Sequence, residues 1–518
     1  MPLGMVPPRL NLADEVVDRN VREGRGGDVA VYDGDRRYTF DELRRMSNRA
    51  GNALRGLGVR RGDAVVLRCG STLDFMLAFF GASKIGAVPI PSSPLLREHE
   101  VGAILGNSEA VAAVAAPQLA GVVDGVRGKS ARFEHLILAG EQATGTTLRG
   151  LMASASDELA AEPTDANEPA FMMYTSGTTG EPKGVQHAHR WIRATGEPIL
   201  AAVMTVGPGD VCYQPQDWSF IYPLGCNFLY PLFAGAAVVI PRGRFDPVEA
   251  YRTLERYGVT VFCAVPTIYR MMLAVPAGER PVRLPALRFG VSAGEPLPAD
   301  TFRAWYDRFG AFIHDGIGQT ESHMFVGNQQ GMRIKPGSMG KPLPTWEMGV
   351  VDDDGTPQPP GEPGHLVIRN DHPGLALGYY RDPERWAAVN RDGWYYTKDY
   401  AYVDGDGYYW YVSRSDDLIK SRGYAISPKE VESAIMEHPA VLEAGVVGVP
   451  DDVMGQRVKA YATLKPGFTG DEALAEQIRA HVRQLIAPFK APREIDFVAD
   501  LPKTLTGKVL RRELRARG

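Results

Sequence analysis

From about residue 39 to residue 350, short apolar runs alternate with segments of helical periodicity, and this alternation limits the possible fold more than any other feature. Thr39-Phe40-Asp41-Glu42 has the form of a capping box, in which a hydroxyl and a carboxylate three residues apart satisfy free backbone donors at a helix start. Leu43, Met46, Ala50, Ala53, Leu54 and Leu57 then recur on one helix face. Runs at Ala64 to Leu67, Ala87 to Ile90, Val111 to Ala116, Leu136 to Ala139, Ala237 to Ile240, Val259 to Val265 and Leu287 to Val291 read as strands. The predicted fold class is therefore α/β layers with substantially parallel sheets. Ala153 to Pro169 is polar and small, and reads as a surface connection.

The texture changes near Val350. Asp352 to Gly361 is dense in turn formers and leads into segments rich in Tyr, Val and Gly, which predicts a β-rich subdomain over about 350–413. From Arg414 onward a helix is expected at Pro428 to Glu437 and strands at Ala444 to Val449 and Val458 to Leu464. A second helix is expected at Glu472 to Leu485, and a Lys/Arg-rich tail follows. The chain thus divides on paper into a large N-terminal domain, 1–413, and a small α+β domain, 414–518, joined at a hinge.

With 518 residues the chain exceeds one ordinary core. Its net charge of −5 marks no basic face, so nucleic acid is not an expected partner. Cys69, Cys212, Cys226 and Cys263 lie far apart in apolar contexts, as buried thiols of a reducing compartment do. The first residues lack the basic and apolar regions of a secretory signal, and the apolar run Phe75 to Pro91 is broken by Lys84 and two glycines. A cytoplasmic protein with no membrane span is expected.

The stretch most suited to chemistry is Thr175-Ser176-Gly177-Thr178-Thr179-Gly180-Glu181-Pro182-Lys183-Gly184, with three glycines, four hydroxyls and one lysine in ten positions. Such a composition disfavours helix and strand but suits a loop whose N–H groups, hydroxyls and ammonium cradle phosphate. It follows an apolar strand, Ala170 to Tyr174, which a flexible linker does not usually do. It is not a P-loop, because Lys183 is followed by Gly184 and no hydroxyl stands ready for magnesium there.

Five further clusters fit a nucleotide site, although each alone reads equally as ordinary turn or surface. Ser292-Ala293-Gly294-Glu295-Pro296 follows a strand and suits the face of a base. Asp315-Gly316-Ile317-Gly318-Gln319-Thr320-Glu321 joins close-approach glycines to a hydroxyl and a carboxylate able to hold Mg²⁺. In Tyr396-Thr397-Lys398-Asp399, Asp399 can accept two ribose hydroxyls. Ser413-Arg414-Ser415-Asp416-Asp417 lies at the proposed boundary, and in Pro502 to Lys508 a glycine turn presents Lys508.

In this order and at these separations the clusters resemble the adenylate-forming superfamily of acyl-CoA synthetases, adenylation domains and luciferases, from about Thr39 to Lys508. The resemblance implies a small domain that rotates between two half-reactions, adenylation of an acid by ATP and displacement of AMP by a thiol. It implies that Thr175, Ser176, Gly177, Thr178, Thr179, Gly180 and Lys183 hold the β- and γ-phosphates. Gly294, Glu295 and Pro296 would border adenine, with Asp315, Gly316 and Ile317 alongside. Thr320 would touch the α-phosphate or carboxylate, and Glu321 would hold Mg²⁺. Asp399 and Arg414 would serve the ribose, Asp416 would be the hinge, Gly423 would line a pantetheine tunnel, and Lys508 would stabilise the adenylation transition state.

Two positions depart from the common pattern. Ile317 replaces an aromatic residue, and Lys398 replaces the glycine of Thr-Gly-Asp. The Asp315 to Gly318 form, His187-x-His189 and Asp18-Arg19-Asn20 look most like the benzoate-CoA ligase branch.

The acid is expected near Asp217 to Phe228, where Trp218, Ser219, Tyr222, Gly225 and Asn227 suit a flat ring, or else form a core helix that touches no ligand. No Lys or Arg lies between Asp210 and Pro241, which disfavours a second substrate carboxylate. The resulting reading is an ATP-, Mg²⁺- and CoA-dependent ligase of an aryl acid such as 2-aminobenzoate or benzoate. A carrier-protein pantetheine acceptor, a medium-chain acid and a non-catalytic nucleotide-binding module are the alternatives.

Overall fold

The computed structural model describes residues 5–141, 143–175, 182–280, 283–421, 424–451, 453–503 and 509–517. The chain forms two compact units, residues 1–348 with 368–395, and residues 349–367 with 396–518. The boundary proposed near Arg414 lies inside the second of these.

In the first unit the expected capping box forms. Thr39 Oγ1 accepts from the Glu42 N–H (3.2 Å), and the Glu42 carboxylate accepts from the Thr39 N–H (2.8 Å), opening the helix Phe40–Gly56. The apolar stretch beginning at Phe75 is not a span: it splits into the helix Leu73–Lys84, buried along its whole length, and the strand Val88–Pro91. Buried Lys84 is neutralised there by Asp18 Oδ1 (2.6 Å) and accepted by Asn48 Oδ1 (2.6 Å). Among the described residues no helix is long and apolar enough to cross a membrane.

The expected strands build two sheets. Val88–Pro91, Ala64–Arg68, Ala112–Ala115 and His135–Leu138 lie parallel in that order. A nine-stranded sheet places Phe289–Ser292 between Val261–Ala264 and Ile313–Gln319, with parallel pairs through its middle and antiparallel hairpins at both ends. Parallel central strands bury both faces, which is why these runs are apolar without alternation. A third sheet is small, with Pro169–Thr175, Lys183–Ala188 and Gly378–Tyr379 all antiparallel.

The second unit gathers the strands Gly364–Arg369, Trp394–Val403 and Tyr409–Arg414 of one sheet and the long pair Val441–Asp451 and Gly455–Leu464 of another. The helices Pro428–Met436 and Glu472–Leu485 fall where the periodicity puts them, while the basic tail forms a further helix, Arg511–Arg517. Arg511 holds that helix in place, pairing with the buried Glu432 (2.8 Å) and with Asp417 (3.0 Å). Arg515 pairs with Asp417 as well. Burial alone would lower the Arg511 pKa, but Glu432 and Asp417 outweigh it and raise it.

Removing one partner of a buried pair strands the other. Arg511→Met is therefore expected to cost about 3 kcal/mol in calorimetric melting, with part of the loss recovered when Glu432→Gln is added. Equal melting of Arg511→Met and wild type would show that the pair contributes nothing.

Candidate active site

The loop-bearing segment is a hairpin: Thr175 pairs with Lys183 across its base, and Ser176 to Gly180 lie outside the described residues. Among the described residues, Thr175 Oγ1 is buried with no hydrogen-bond partner. Lys183 begins the returning strand, and its side chain meets a second hairpin, Ile313–Gln319 with His323–Gly327, whose turn carries Thr320 and Glu321. Gly318 allows that hairpin to close, since a Cβ there would stand 2.4 Å from the His323 carbonyl oxygen.

Lys183 Nζ donates to Glu321 Oε1 (2.7 Å) and to the Tyr379 hydroxyl (2.7 Å), which donates on to the same Oε1 (2.8 Å). The ammonium also lies 4.1 Å from the centre of the Tyr379 ring. Burial would push the Glu321 carboxyl upward, but Lys183 and Tyr379 outweigh it and hold it below the ordinary range. The Tyr379 hydroxyl is pushed up by burial and by the carboxylate, so it remains a donor. A single ionised carboxylate beside a phosphate-type loop fits Mg²⁺, which takes one or two protein carboxylates and completes its shell with water and phosphate oxygens. Among the described residues no group of three or more His, Cys, Asp and Glu could hold a metal.

Gly294, Glu295 and Pro296 follow the strand Phe289–Ser292, with Glu295 Oε2 accepting from the Thr267 hydroxyl (3.0 Å). Asp315, Gly316 and Ile317 lie on the adjacent strand, in register through Ser292 and Asp315. Asp315 is buried, the Leu297 N–H donating to its Oδ2 (3.4 Å), and burial raises its carboxyl to about 7.

The acid-pocket segment is helical, Ile221–Leu224 continuing through Gly225–Leu229. Trp218 is fully buried and stacks on Phe228 (5.0 Å between centroids), while Ser219 bonds to Asp217. Asn227 donates to the carbonyls of Gln214 (3.4 Å) and Val239 (3.3 Å), tying two strands of the large sheet. Tyr222 donates to the Val291 carbonyl (2.9 Å), which fixes its ring beside the strand that leads to Gly294. At Gly225 a Cβ would lie 2.3 Å from His323 Nε2, so this helix passes directly over the Glu321 hairpin.

His187, His189 and His323 are buried, and burial lowers their pKa values to about 3, 4 and 3. They are therefore neutral packing groups, with His187 stacked on Phe171 at 4.6 Å.

In the second unit Asp399 and Arg414 face each other across paired strands, with Arg414 Nη1 3.1 Å from Asp399 Oδ1. Lys398 has φ +63°, and this accounts for the glycine of the common pattern: the backbone here is left-handed. Asp416 is exposed, and its carbonyl accepts from Arg515 (3.2 Å). Gly423 and Lys508 lie outside the described residues.

Sequence reasoning missed Tyr379 and His323. Tyr379 is flagged only by Gly378-Tyr379-Tyr380, an unremarkable string, and His323 by nothing before its φ of +60°.

A parallel-sheet scaffold presenting a lysine and a metal-competent carboxylate on two facing hairpins suits an enzyme that binds a metal-bound phosphate compound. Models of the AMP-binding enzyme family and of its C-terminal domain match residues 17–380 and 430–508. Over 514 residues the chain is 40% identical to benzoate–CoA ligase of Thauera aromatica, covering 99% of this chain and 97% of the relative. It is 37% identical over 525 residues to acetyl-coenzyme A synthetase of Bacillus subtilis (strain 168), covering 98% and 90%. The crystal structure of the anthranilate CoA ligase AuaEII in complex with anthranoyl-AMP matches with a TM-score of 0.91 at 34% identity, covering 99% and 98%. The chain belongs to the AMP-binding enzyme family and is an AMP-forming acyl/aryl-CoA ligase that uses ATP, Mg²⁺ and CoA.

Two measurements on nucleotide-free protein test this geometry. An acid whose pKa is higher folded than unfolded takes up a proton on folding, so Asp315 contributes less stability as pH rises from 3.8 toward about 7. Melting of Asp315→Asn is expected to fall less than wild type between pH 5 and pH 8, the gap widening by about 2–4 kcal/mol; parallel curves would remove Asp315 as the cause. At Lys398, relief of left-handed strain and the larger unfolded-state entropy of glycine nearly cancel. Lys398→Gly should leave the unfolding midpoint within about 1 kcal/mol, whereas Lys398→Val should lose about 1 kcal/mol or more.

Proposed function

We propose that the acid is a small aromatic one, benzoate or 2-aminobenzoate, converted first to its adenylate and then to its CoA thioester. The observation that carries this reading is the chain-long likeness to benzoate–CoA ligase. The fit to an anthranoyl-AMP complex supports it, as does a pocket segment with aromatic and small residues and no lysine or arginine.

Glu321 would hold Mg²⁺, which would supply positive charge to offset that of the phosphates in an in-line displacement. The residues around it do the positioning. Lys183 and the Thr175 to Gly180 loop steady the leaving pyrophosphate, and Glu321 holds the metal. Gly294 to Pro296 border adenine with Asp315, Gly316 and Ile317. Thr320 contacts the α-phosphate, and Asp399, oriented by Arg414, takes the ribose. Lys508 adds a point charge to the adenylation transition state, where preorganised charge lowers the barrier most. Asp416 serves as hinge between half-reactions, and Gly423 leaves room for pantetheine. Tyr222, held by Val291, offers its ring face to the acid, with Trp218, Ser219, Gly225 and Asn227 shaping the wall behind it.

Pyrophosphate release against a panel of benzoates and C4 to C10 acids, with and without CoA, tests the assignment. Benzoate or 2-aminobenzoate should give the highest kcat/KM and a CoA thioester. Preference for an aliphatic acid would overturn the aryl reading, and adenylate without CoA thioester would shift the acceptor to a carrier protein. Lys508→Ala should lose at least a hundredfold in adenylation yet retain thioester formation from pre-made adenylate; equal loss in both would remove Lys508 from the first half-reaction.

A further inference from the structure

The roles just assigned leave Tyr379 unexplained, although its hydroxyl is hydrogen-bonded to both Lys183 and Glu321. We propose that Tyr379 is a positioning residue that latches the Lys183 ammonium onto the Glu321 carboxylate, so that Mg²⁺ and nucleotide enter by displacing an ammonium that is already there. The inference rests on the reading of Glu321 as metal carboxylate and Lys183 as phosphate lysine.

Three observations carry it. The first is the closed triangle, with sides of 2.7, 2.7 and 2.8 Å, in which the phenol accepts from Lys183 and donates to the oxygen that Lys183 also holds. A carboxylate only 6% exposed cannot stand uncompensated without a cost of several kcal/mol, so before metal arrives some cation must occupy its side. Lysine is a compact charge on a flexible stem, and by itself it would hold that place poorly.

The second observation is how firmly Tyr379 is placed. Its strand pairs with the strand that Lys183 begins, Tyr379 opposite Val185, and the Tyr380 N–H donates to the Gly184 carbonyl (2.7 Å). The ring packs edge-on against Trp386 (5.2 Å), Trp386 stacks on Tyr395 (5.5 Å), and the Tyr395 hydroxyl donates to Gln319 (3.0 Å), two residues before Glu321. The circuit returns to the hairpin that carries the carboxylate.

The third is the division of labour within the phenol. The hydroxyl strengthens the ammonium–carboxylate contact, whereas the ring face, 4.1 Å from Nζ, keeps the ammonium nearby when the carboxylate takes the dication. Because one oxygen serves the ammonium and the phenol together, a dication held by Glu321 would repel the ammonium and leave it to pair with phosphate.

The test separates the hydroxyl from the ring. In Tyr379→Phe the latch loses both hydrogen bonds of the phenol, so the Mg²⁺ concentration giving half-maximal ATP binding by calorimetry should fall about tenfold. An unchanged Mg²⁺ midpoint would overturn the proposal. In Tyr379→Leu, melted without nucleotide or metal, Lys183 is released and the melting temperature should drop, with most of the loss restored when Glu321→Gln is added. No restoration would mean the loss is one of packing only, and would likewise overturn it. Failure of wild type to bind ATP would instead strike the assignment of the phosphate and metal residues, because the melting arm contains neither ATP nor Mg²⁺.

Discussion

A carboxylate excluded from water needs a cation within contact distance, and the middle of this enzyme is arranged around meeting that demand for Glu321. The carboxylate stands in the turn between Ile313–Gln319 and His323–Gly327, and its answering charge, Lys183, begins the second strand of the loop hairpin. The backbone that carries each group is held by its neighbours. Ala376 donates to the Glu321 carbonyl (2.7 Å), the strand Gly378–Tyr379 pairs with that of Lys183, and the chain between them supplies Tyr379 to both. Lys183, Glu321 and Tyr379 thus owe their placement to three antiparallel strand contacts, one of which is anchored in the nine-stranded sheet by the parallel pairing of Ile313–Gln319 with Phe289–Ser292.

The same economy of space governs the surroundings of that turn. Gly318 and Gly225 leave room for the His323 backbone and ring, and His323 itself accepts a left-handed backbone to let the hairpin turn. Left-handed φ outside glycine costs on the order of 1 kcal/mol and persists where neighbours determine the conformation. The ring of His323 is enclosed by Tyr230 (4.8 Å) and Trp191 (5.8 Å), and the Met324 N–H donates to its Nδ1 (2.7 Å), so the conformation is set by contacts on several sides. Lys398 shows the same logic in the second unit. Its backbone is left-handed, and the strand pairing of Asp399 with Arg414 holds the chain there.

Much of the fold was legible from local pattern. The capping box at Thr39, the seven apolar runs and the helix Glu472–Leu485 all form where their residues put them, since periodicity and caps act over a few positions. What local pattern missed is equally physical. The strand Lys183–Ala188 contains Gly184, Gln186 and His187, weak strand formers that are held by the partners on either side. The helix Arg511–Arg517 looks like a solvated basic tail until Glu432 and Asp417 are seen to neutralise its first arginine. Trp218 and Asn227 read as pocket candidates from composition; in the fold both are fully buried, Trp218 stacked on Phe228 and Asn227 bonded to two backbone carbonyls.

The sequence by itself determined the chemical groups at hand: a loop of glycine, hydroxyl and lysine suits phosphate by residue type, and its order with a carboxylate after a glycine-rich strand, an aspartate and a terminal Gly-Lys pair carries the resemblance to adenylate-forming enzymes that implies ATP and adenylation. Tertiary structure decided which of these groups answer one another. That Lys183 and Glu321 pair directly and that Tyr379 bridges them follows from strand register and burial, and partners 138 and 58 residues from Glu321 leave no trace in local pattern. The physical reason is that residue type sets what a side chain can do, whereas dielectric and distance, which only folding supplies, set what it does.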